Sequence, residues 1–295
     1  MKFTVLIVVT STLMSANAHY FFDRLMHNNT WSEPWEYIRK ISPQESGSAT
    51  PTDYDYIIPI VDPSSPDLRC GRNASSPWSN PKTAVIQAGD TVGFAVNTTV
   101  GLPIAGAIVM PWDRWPNLYH PGPATAWLSA APGPLKEYTG DGDWVKILSV
   151  VGRTNQSEPP NDEYYWKHQW GTYQAKSWNF TIPASTPPGN YLLRFEHIYP
   201  LPVNALQGAQ FYVNCAHVRI VNPRNHVNVP SPVVKIPGVY AFGQKGIADI
   251  TTKESIEYQL TEWWTKTEIY FYADVGNETY DIRDFVKPKP VVWSG

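Results

Sequence analysis

The sequence predicts an all-β fold, an immunoglobulin- or fibronectin-III-like β-sandwich with long loops. Helix signals are poor, because 28 prolines and 19 glycines interrupt most windows of a dozen residues and none shows a sustained apolar stripe at helical spacing. Strand signals are better. Runs of β-branched and aromatic residues end at turn residues such as Ala88-Gly89-Asp90, a pattern typical of a sandwich.

Four segments carry the strand pattern most clearly: residues 91–96, 177–182, 191–198 and 210–221. Each is rich in β-branched and aromatic residues and is bounded by turn-forming residues. Between them, three long stretches show no regular pattern: residues 30–57, 111–144 and 152–170. We predict these as irregular loops, and loops of that length in a compact domain are usually functional surfaces.

The overall composition excludes several classes of protein. With 23 basic and 26 acidic residues the net charge is −3, so nothing in the balance indicates a nucleic-acid partner. A hydrophobic content of 42% is too high for a disordered chain. Only 17% of the residues are charged, whereas 13 are Trp and 17 are Tyr, which favours a secreted β protein with an aromatic surface.

The first 18 residues have the pattern of a secretory signal peptide. A basic start and a short apolar run precede Ala16-Asn17-Ala18, the small-x-small sequence that signal peptidase accepts. We therefore expect cleavage before His19, a secreted extracellular monomer of one domain spanning residues 19–295, and no membrane partner. Six Asn-x-Ser/Thr sequons fit that route as glycosylation sites: Asn28, Asn73, Asn97, Asn155, Asn179 and Asn277.

The chain has two cysteines, Cys70 and Cys215. In an oxidising compartment they most simply pair with each other, since only one connectivity exists. The bridge would close a loop of nearly half the mature chain, which stabilises by about 4–5 kcal/mol in the chain-entropy model. A link between such distant segments favours a single domain.

Cleavage before His19 would place an α-amine and an imidazole on the same residue. Together they can chelate one metal, and an all-nitrogen donor set is one that copper prefers. A third nitrogen would complete such a site. His120 stands in Tyr119-His120-Pro121-Gly122-Pro123, where the prolines fix the backbone and can hold an imidazole rigidly; an incidental histidine in a turn explains the same residues, and spacing alone does not decide between the two. The other histidines show no metal-binding spacing: His27, His168, His197, His217 and His226.

Gln210 and Tyr212 stand two residues apart in a predicted strand, so their side chains point to the same face. A phenol and an amide placed side by side can reach one site. The strand pattern alone favours the other interpretation, a buried tyrosine with a hydrogen-bonded hydroxyl.

A set of short motifs occurs along this chain in the same order as in a known protein family. Beginning with His19, they are Asp67-Leu68-Arg69-Cys70, Ala88 to Val92, His120 to Pro123, Trp144 to Ile147, Ile182-Pro183, Pro188 to Glu196, Gly208 to Cys215, Ile236 to Tyr240 and Pro290 to Gly295. In this order the sequence resembles the fungal lytic polysaccharide monooxygenases of auxiliary-activity family 9. The resemblance extends over nearly the whole mature chain.

The resemblance implies a copper site of the kind called a histidine brace. Copper would be held by the amine and ring of His19 and by the ring of His120, with Tyr212 axial and Gln210 behind it. The resemblance also implies the Cys70–Cys215 disulfide. It further implies a polysaccharide substrate, an external electron donor and a flat surface with aromatic residues, for which Trp31, Trp35 and Tyr37 are candidates.

Two departures from the family pattern qualify this interpretation. The family's strand through Arg194 and Glu196 continues to a histidine that contacts bound oxygen species, and here that position is Leu201. His197 lies a few residues earlier and is a possible substitute. The second departure is an insertion at residues 253–284 that is rich in aromatic residues.

Two functions follow as hypotheses. The first is copper-dependent oxidative cleavage of a β-1,4-linked polysaccharide, cellulose or hemicellulose. The alternative is a non-catalytic secreted relative that binds polysaccharide or copper, and the absent histidine at Leu201 is the feature that supports it. A purely structural glycoprotein would leave His19 and His120 unexplained.

Overall fold

The computed structural model describes residues 19–44, 51–75, 78–98, 116–160, 167–200, 209–223, 227–240 and 287–295. The signal peptide, Leu201, Asn277 and the insertion at 253–284 lie outside these residues. In the described part of the chain one α-helix is present, the single turn α1 (Asp53–Ile57), and strands form most of the remaining regular structure.

The strands form two sheets. The smaller sheet has the order β2-β1-β4-β7 and is antiparallel throughout. Its members are β1 (Phe21–His27), β2 (Thr30–Trp31), β4 (Thr91–Asn97) and β7 (Ser177–Thr181). The larger sheet has the order β10-β6-β5-β8-β9-β3, in which β3 runs parallel to β9 and the other pairs are antiparallel. Its members are β3 (Ala84–Gln87), β5 (Ala124–Ala130), β6 (Trp144–Val150), β8 (Gly189–Tyr199), β9 (Gln210–Val221) and β10 (Val233–Val234).

The main hydrophobic core lies between the two sheets. Phe22 of β1, Phe94 of β4 and Phe195 of β8 are fully buried there. The ring of Phe195 is stacked on that of Phe94 at 5.4 Å and meets that of Phe22 edge-on at 4.8 Å, measured between ring centroids. Contacts of this kind across two facing sheets confirm the predicted β-sandwich.

All four strands predicted from sequence are present, as β4, β7, β8 and β9. The prediction of a continuous loop over residues 111–144 is wrong, because β5 lies inside it and pairs with both β6 and β8. The sequence of β5, Ala-Thr-Ala-Trp-Leu-Ser-Ala, is short of β-branched residues. A central strand needs small side chains where the sheets pack closely, so tertiary context overrides its weak intrinsic propensity.

A second hydrophobic cluster covers the outer face of the larger sheet. It contains the disulfide between Cys70 and Cys215, together with Trp127, Trp144 and Phe211. Cys215 lies in β9, and its backbone carbonyl accepts a hydrogen bond from the N–H of Arg39 at 2.9 Å. The expected cysteine pairing is therefore present, and it ties the segment before β3 to the sheet.

Beside this disulfide lies a fully buried ion pair between Arg194 and Glu196, on neighbouring same-face positions of β8. The guanidinium also donates to the carbonyl oxygens of Leu68 and Arg69. The carboxylate accepts hydrogen bonds from Thr125 Oγ1 at 2.8 Å and from the Tyr240 hydroxyl at 2.7 Å. The pair thus joins the sheet to the segment that carries Cys70. No helix in the described ranges is long and apolar enough to cross a membrane.

Candidate metal centre

Three chain segments meet at one end of the sandwich. His19 lies two residues before the start of β1, His120 lies in the turn before β5, and Gln210 and Tyr212 begin β9. Strands β8 and β9 pair so that His197 faces Tyr212, which places the last part of β8 at the same end. Of the residues predicted for the metal site, the structure therefore brings all four together.

The rings of the three candidate ligands are mutually close. Between centroids, His19 and His120 are 5.7 Å apart, His19 and Tyr212 are 6.2 Å apart, and His120 and Tyr212 are 5.9 Å apart. Metal–nitrogen bonds of about 2 Å place each imidazole centroid about 3 Å from the metal, so two ligands of one ion have centroids within about 6 Å. The His19–His120 separation satisfies that bound.

The turn that carries His120 is fixed by its sequence. Pro121 and Pro123 restrict the backbone on both sides of Gly122. A Cβ at Gly122 would lie 1.8 Å from the carbonyl oxygen of Ile198, so only glycine allows this approach. The N–H of Ile198 donates to the carbonyl of Pro123 at 3.0 Å. The turn is therefore held directly against β8.

Both candidate imidazoles are suited to bind a metal rather than a proton. Burial lowers the pKa of His19 below 6.5. Burial lowers the pKa of His120 well below 6.5, and the neighbouring His19, His197 and Lys167 lower it further. The Nε2 atom of His120 is inaccessible to solvent and has no hydrogen-bond partner among the described residues. A buried ring nitrogen left in this state costs free energy unless something binds it.

Other metal-binding side chains do not converge on this site. Within the described ranges, no group of three or more His, Cys, Asp or Glu side chains could hold a metal ion. A site formed by His19 and His120 therefore needs a further donor, and the α-amine that cleavage before His19 would create is at hand. The residues fit copper on this basis, since nitrogen-rich sets suit it.

Tyrosines surround the two imidazoles. The hydroxyl of Tyr212 donates to Gln210 Oε1 at 2.6 Å, which agrees with their predicted common face. Sequence reasoning missed two others. Tyr20 stacks on Tyr212 at 4.1 Å between centroids, and Tyr199 stacks on His120 at 4.4 Å. The place of Tyr20 near the site could have been predicted, because it directly follows His19 in the sequence. The place of Tyr199 could not, because it depends on where β8 ends in the fold.

Of the three aromatic residues expected from the family resemblance to contact substrate, two lie along β1 away from His19 and one packs near the start of that strand. Trp31 pairs with Met26, seven residues along from His19, which is about 20 Å in an extended strand. Tyr37 packs edge-on against His27 at 5.0 Å, at the same remote end. Trp35 is half-buried against Phe21, with its centroid 5.0 Å away. Trp31 and Tyr37 therefore lie along β1 away from His19, whereas Trp35 packs against Phe21, two residues from His19.

An exposed aromatic residue does lie beside the site. Tyr119 is 44% exposed, and its ring meets that of His120 edge-on at 5.6 Å between centroids. It directly precedes His120, so it shares the turn held by Pro121 and Gly122. Among the described residues near the candidate ligands, it is the one that offers an aromatic face to solvent.

His197 does not occupy an outward-facing position. Its side chain is fully buried, and its Nδ1 atom lies 2.7 Å from the hydroxyl of Tyr20. Burial lowers the pKa of His197 to about 3, so the ring is neutral. The hypothesis that His197 substitutes for the histidine missing at Leu201 is therefore not supported, because the ring lies behind the tyrosines instead of in front of the candidate ligands.

The described sequons differ in accessibility, which gives a testable prediction. Asn28, Asn73 and Asn155 are exposed in turns, whereas Asn97 Nδ2 donates to the buried carboxylate of Asp23 at 2.6 Å and Asn179 Oδ1 is buried. A glycan on Asn97 would replace an N–H of that amide. Glycopeptide mapping of secreted protein is expected to find glycans on the three exposed sites, and a mostly glycosylated Asn97 would refute this.

Comparison with known proteins agrees with the geometry. The model of the family described as Auxiliary Activity family 9 (formerly GH61) matches residues 19–258. The chain belongs to this family. It is 34% identical to AA9 family lytic polysaccharide monooxygenase U of Thermothielavioides terrestris, over 95% of this chain and 94% of the relative. It is 32% identical to monooxygenase C of Emericella nidulans, over 84% of this chain and 90% of the relative.

The AA9 assignment also extends to the fold. The crystal structure of HiLPMO9B superposes with a TM-score of 0.58 at 22% identity, covering 94% of this chain and 100% of the other. As an AA9 member, the chain is an oxidative monooxygenase of a family that acts on polysaccharide. The matched region begins at His19, the residue that the sequence places at the start of the mature chain.

Proposed function

We propose that this AA9 protein binds one copper ion through His19 and His120 and cleaves a β-1,4-linked polysaccharide, cellulose or hemicellulose, by oxidation. The observation that carries the proposal is the convergence of the His19 and His120 rings, 5.7 Å apart, around a buried His120 Nε2 with no partner among the described residues. The α-amine of His19, once exposed by cleavage, would complete the donor set. The hydroxyl of Tyr212 would be a further, weaker donor to the copper.

Copper, when bound, would supply the one-electron chemistry that activates oxygen, with electrons provided by an external donor. The chain's own residues then have separate tasks. His19 and His120 present neutral ring nitrogens, because burial keeps their pKa values low. Gln210 accepts the hydroxyl hydrogen of Tyr212, which directs the phenol oxygen's remaining lone pairs away from the amide.

The substrate would approach from the side on which Tyr119 is exposed. An aromatic face beside His120 offers a flat apolar contact, and a sugar ring presents C–H groups to such a face. Tyr119 thus joins Trp35, which packs against Phe21 two residues from His19, as a proposed substrate contact. We further propose that the protein is a secreted monomer, that it is processed before His19, and that it has neither a membrane nor a nucleic-acid partner.

The function is tested by a product profile. Copper-loaded protein that begins at His19 is incubated with a panel of celluloses, mixed-linkage glucans and xylans, with ascorbate and peroxide, and soluble products are analysed by mass spectrometry. We expect oxidised oligosaccharides from at least one β-1,4-linked polymer, and none without reductant. Tight copper binding with no oxidised product from any polymer would favour the alternative, a non-catalytic binding relative, for which the leucine at position 201 is the supporting feature.

A further inference from the structure

A buried side-chain contact links the segment that carries His19 to strand β8, which also holds the His120 turn. The Tyr20 hydroxyl and His197 Nδ1 are 2.7 Å apart, and both side chains are almost completely buried. Tyr20 is bonded directly to His19 in the chain. The position of its ring therefore influences where the His19 backbone nitrogen and imidazole point.

His197 also contacts the other ligand-bearing segment. It pairs with Ala124 across the β5–β8 ladder, four residues after His120. The next residue, Ile198, donates its N–H to Pro123. His197 therefore contacts Tyr20, one residue from His19, and pairs with Ala124, four residues from His120.

We infer that the Tyr20–His197 hydrogen bond is a positioning contact, which fixes the His19 segment relative to the His120 turn so that both imidazoles meet at one metal. The inference rests on the proposed copper site. It assigns His197 a role behind the ligands, and it explains why a tyrosine stacked on Tyr212 directly follows the N-terminal histidine. Partners that orient metal ligands in this way typically change metal affinity by about 10–100-fold when they are removed.

The experiment uses protein that begins at His19 and measures Cu(II) affinity by competition titration and the copper environment by electron paramagnetic resonance. Tyr20→Phe deletes only the hydroxyl, and His197→Leu removes its partner. Each is expected to weaken Cu(II) binding about tenfold and to shift the hyperfine splitting. His197→Asn, whose amide can reach the same hydroxyl, should recover most of the affinity. The double variant Tyr20→Phe/His197→Leu should lose no more than the more impaired single variant, because both changes remove one shared bond.

A matched control separates positioning from general stability. Tyr191, on the same strand as His197 but at its other end, donates its hydroxyl to the carbonyl of Pro187 at 2.9 Å. Tyr191→Phe also removes a tyrosine hydrogen bond, and it should leave the copper affinity and spectrum unchanged. If Tyr20→Phe and His197→Leu bind copper as the wild type does, or change it only as Tyr191→Phe does, the inference is overturned while the copper site stands. If the wild type itself binds no copper, both are overturned.

Discussion

His120→Ala is expected to lower Cu(II) affinity by more than about 100-fold, because it removes a nitrogen ligand, and loss of an outer-shell partner alone costs 10–100-fold. Release of oxidised oligosaccharides should fall below detection. The substitution deletes a ring whose Nε2 has no partner in the described part of the chain, so no hydrogen bond to that atom is lost. The measurement is a competition titration with a Cu(II) chelator, followed by product analysis.

Two variants control this result. His27→Ala removes a histidine at the far end of β1, beside Tyr37, and should leave copper affinity at the wild-type value. Tyr212→Phe should retain copper but alter its paramagnetic-resonance spectrum, since only a weak axial oxygen is lost. Wild-type copper affinity in His120→Ala would exclude His120 as a ligand.

Glu196→Gln is expected to lower the free energy of unfolding by about 3 kcal/mol at pH 7, because removing one member of a buried ion pair leaves the other charge unpaired. Arg194 is fully buried and would face a neutral amide in place of the carboxylate, while it keeps the carbonyl oxygens of Leu68 and Arg69 as acceptors. Urea unfolding followed by fluorescence measures the change. The control is Glu36→Gln at the exposed Lys82 pair, which should leave the urea midpoint unchanged.

The same pair predicts a pH dependence. Burial alone would raise the pKa of Glu196, but the charge of Arg194 and the hydrogen bonds from Arg194, Tyr240 and Thr125 lower it below 4.5. A carboxylate with a lowered folded-state pKa stabilises above its unfolded value and loses that contribution as the pH falls through the folded-state pKa. The stability difference between wild type and Glu196→Gln should therefore be largest at neutral pH and shrink below about pH 4.5. A constant difference from pH 7 to pH 3.5 would contradict this.

The sequence predicted those parts of the molecule whose signal is local. Strand β9 alternates and is flanked by glycine and asparagine, and the two-residue spacing of Gln210 and Tyr212 required a common face. Strand β5 was missed because its alanines and serine carry little strand propensity, and its place between β6 and β8 depends on close packing. The Cys70–Cys215 pairing followed from having only two cysteines.

The sequence could indicate those site residues whose role follows from their own side-chain and backbone chemistry. His19 was recognisable from the cleavage pattern, and the proline-flanked turn drew attention to His120. The position of an aromatic residue relative to the site depends on strand direction, which composition does not encode. Trp31 is close to His19 in sequence and yet remote from it in space. Tyr119 is far from His19 in sequence, yet its ring contacts that of His120 at the candidate site. The sequence left the role of His197 open, and the structure buries its ring beside the Tyr20 hydroxyl.

The proposed copper site requires that His19 bind the metal through its own amine as well as its ring. One comparison tests this directly. Cu(II) affinity is measured for protein that begins at His19 and for the same protein with a single alanine placed before His19. The extension leaves every side chain intact and converts only the amine into an amide. We expect one tightly bound Cu(II) with a tetragonal paramagnetic-resonance signal in the first, and binding weaker by more than about 100-fold in the second. Equal affinity in the two proteins would show that the amine of His19 is not a ligand.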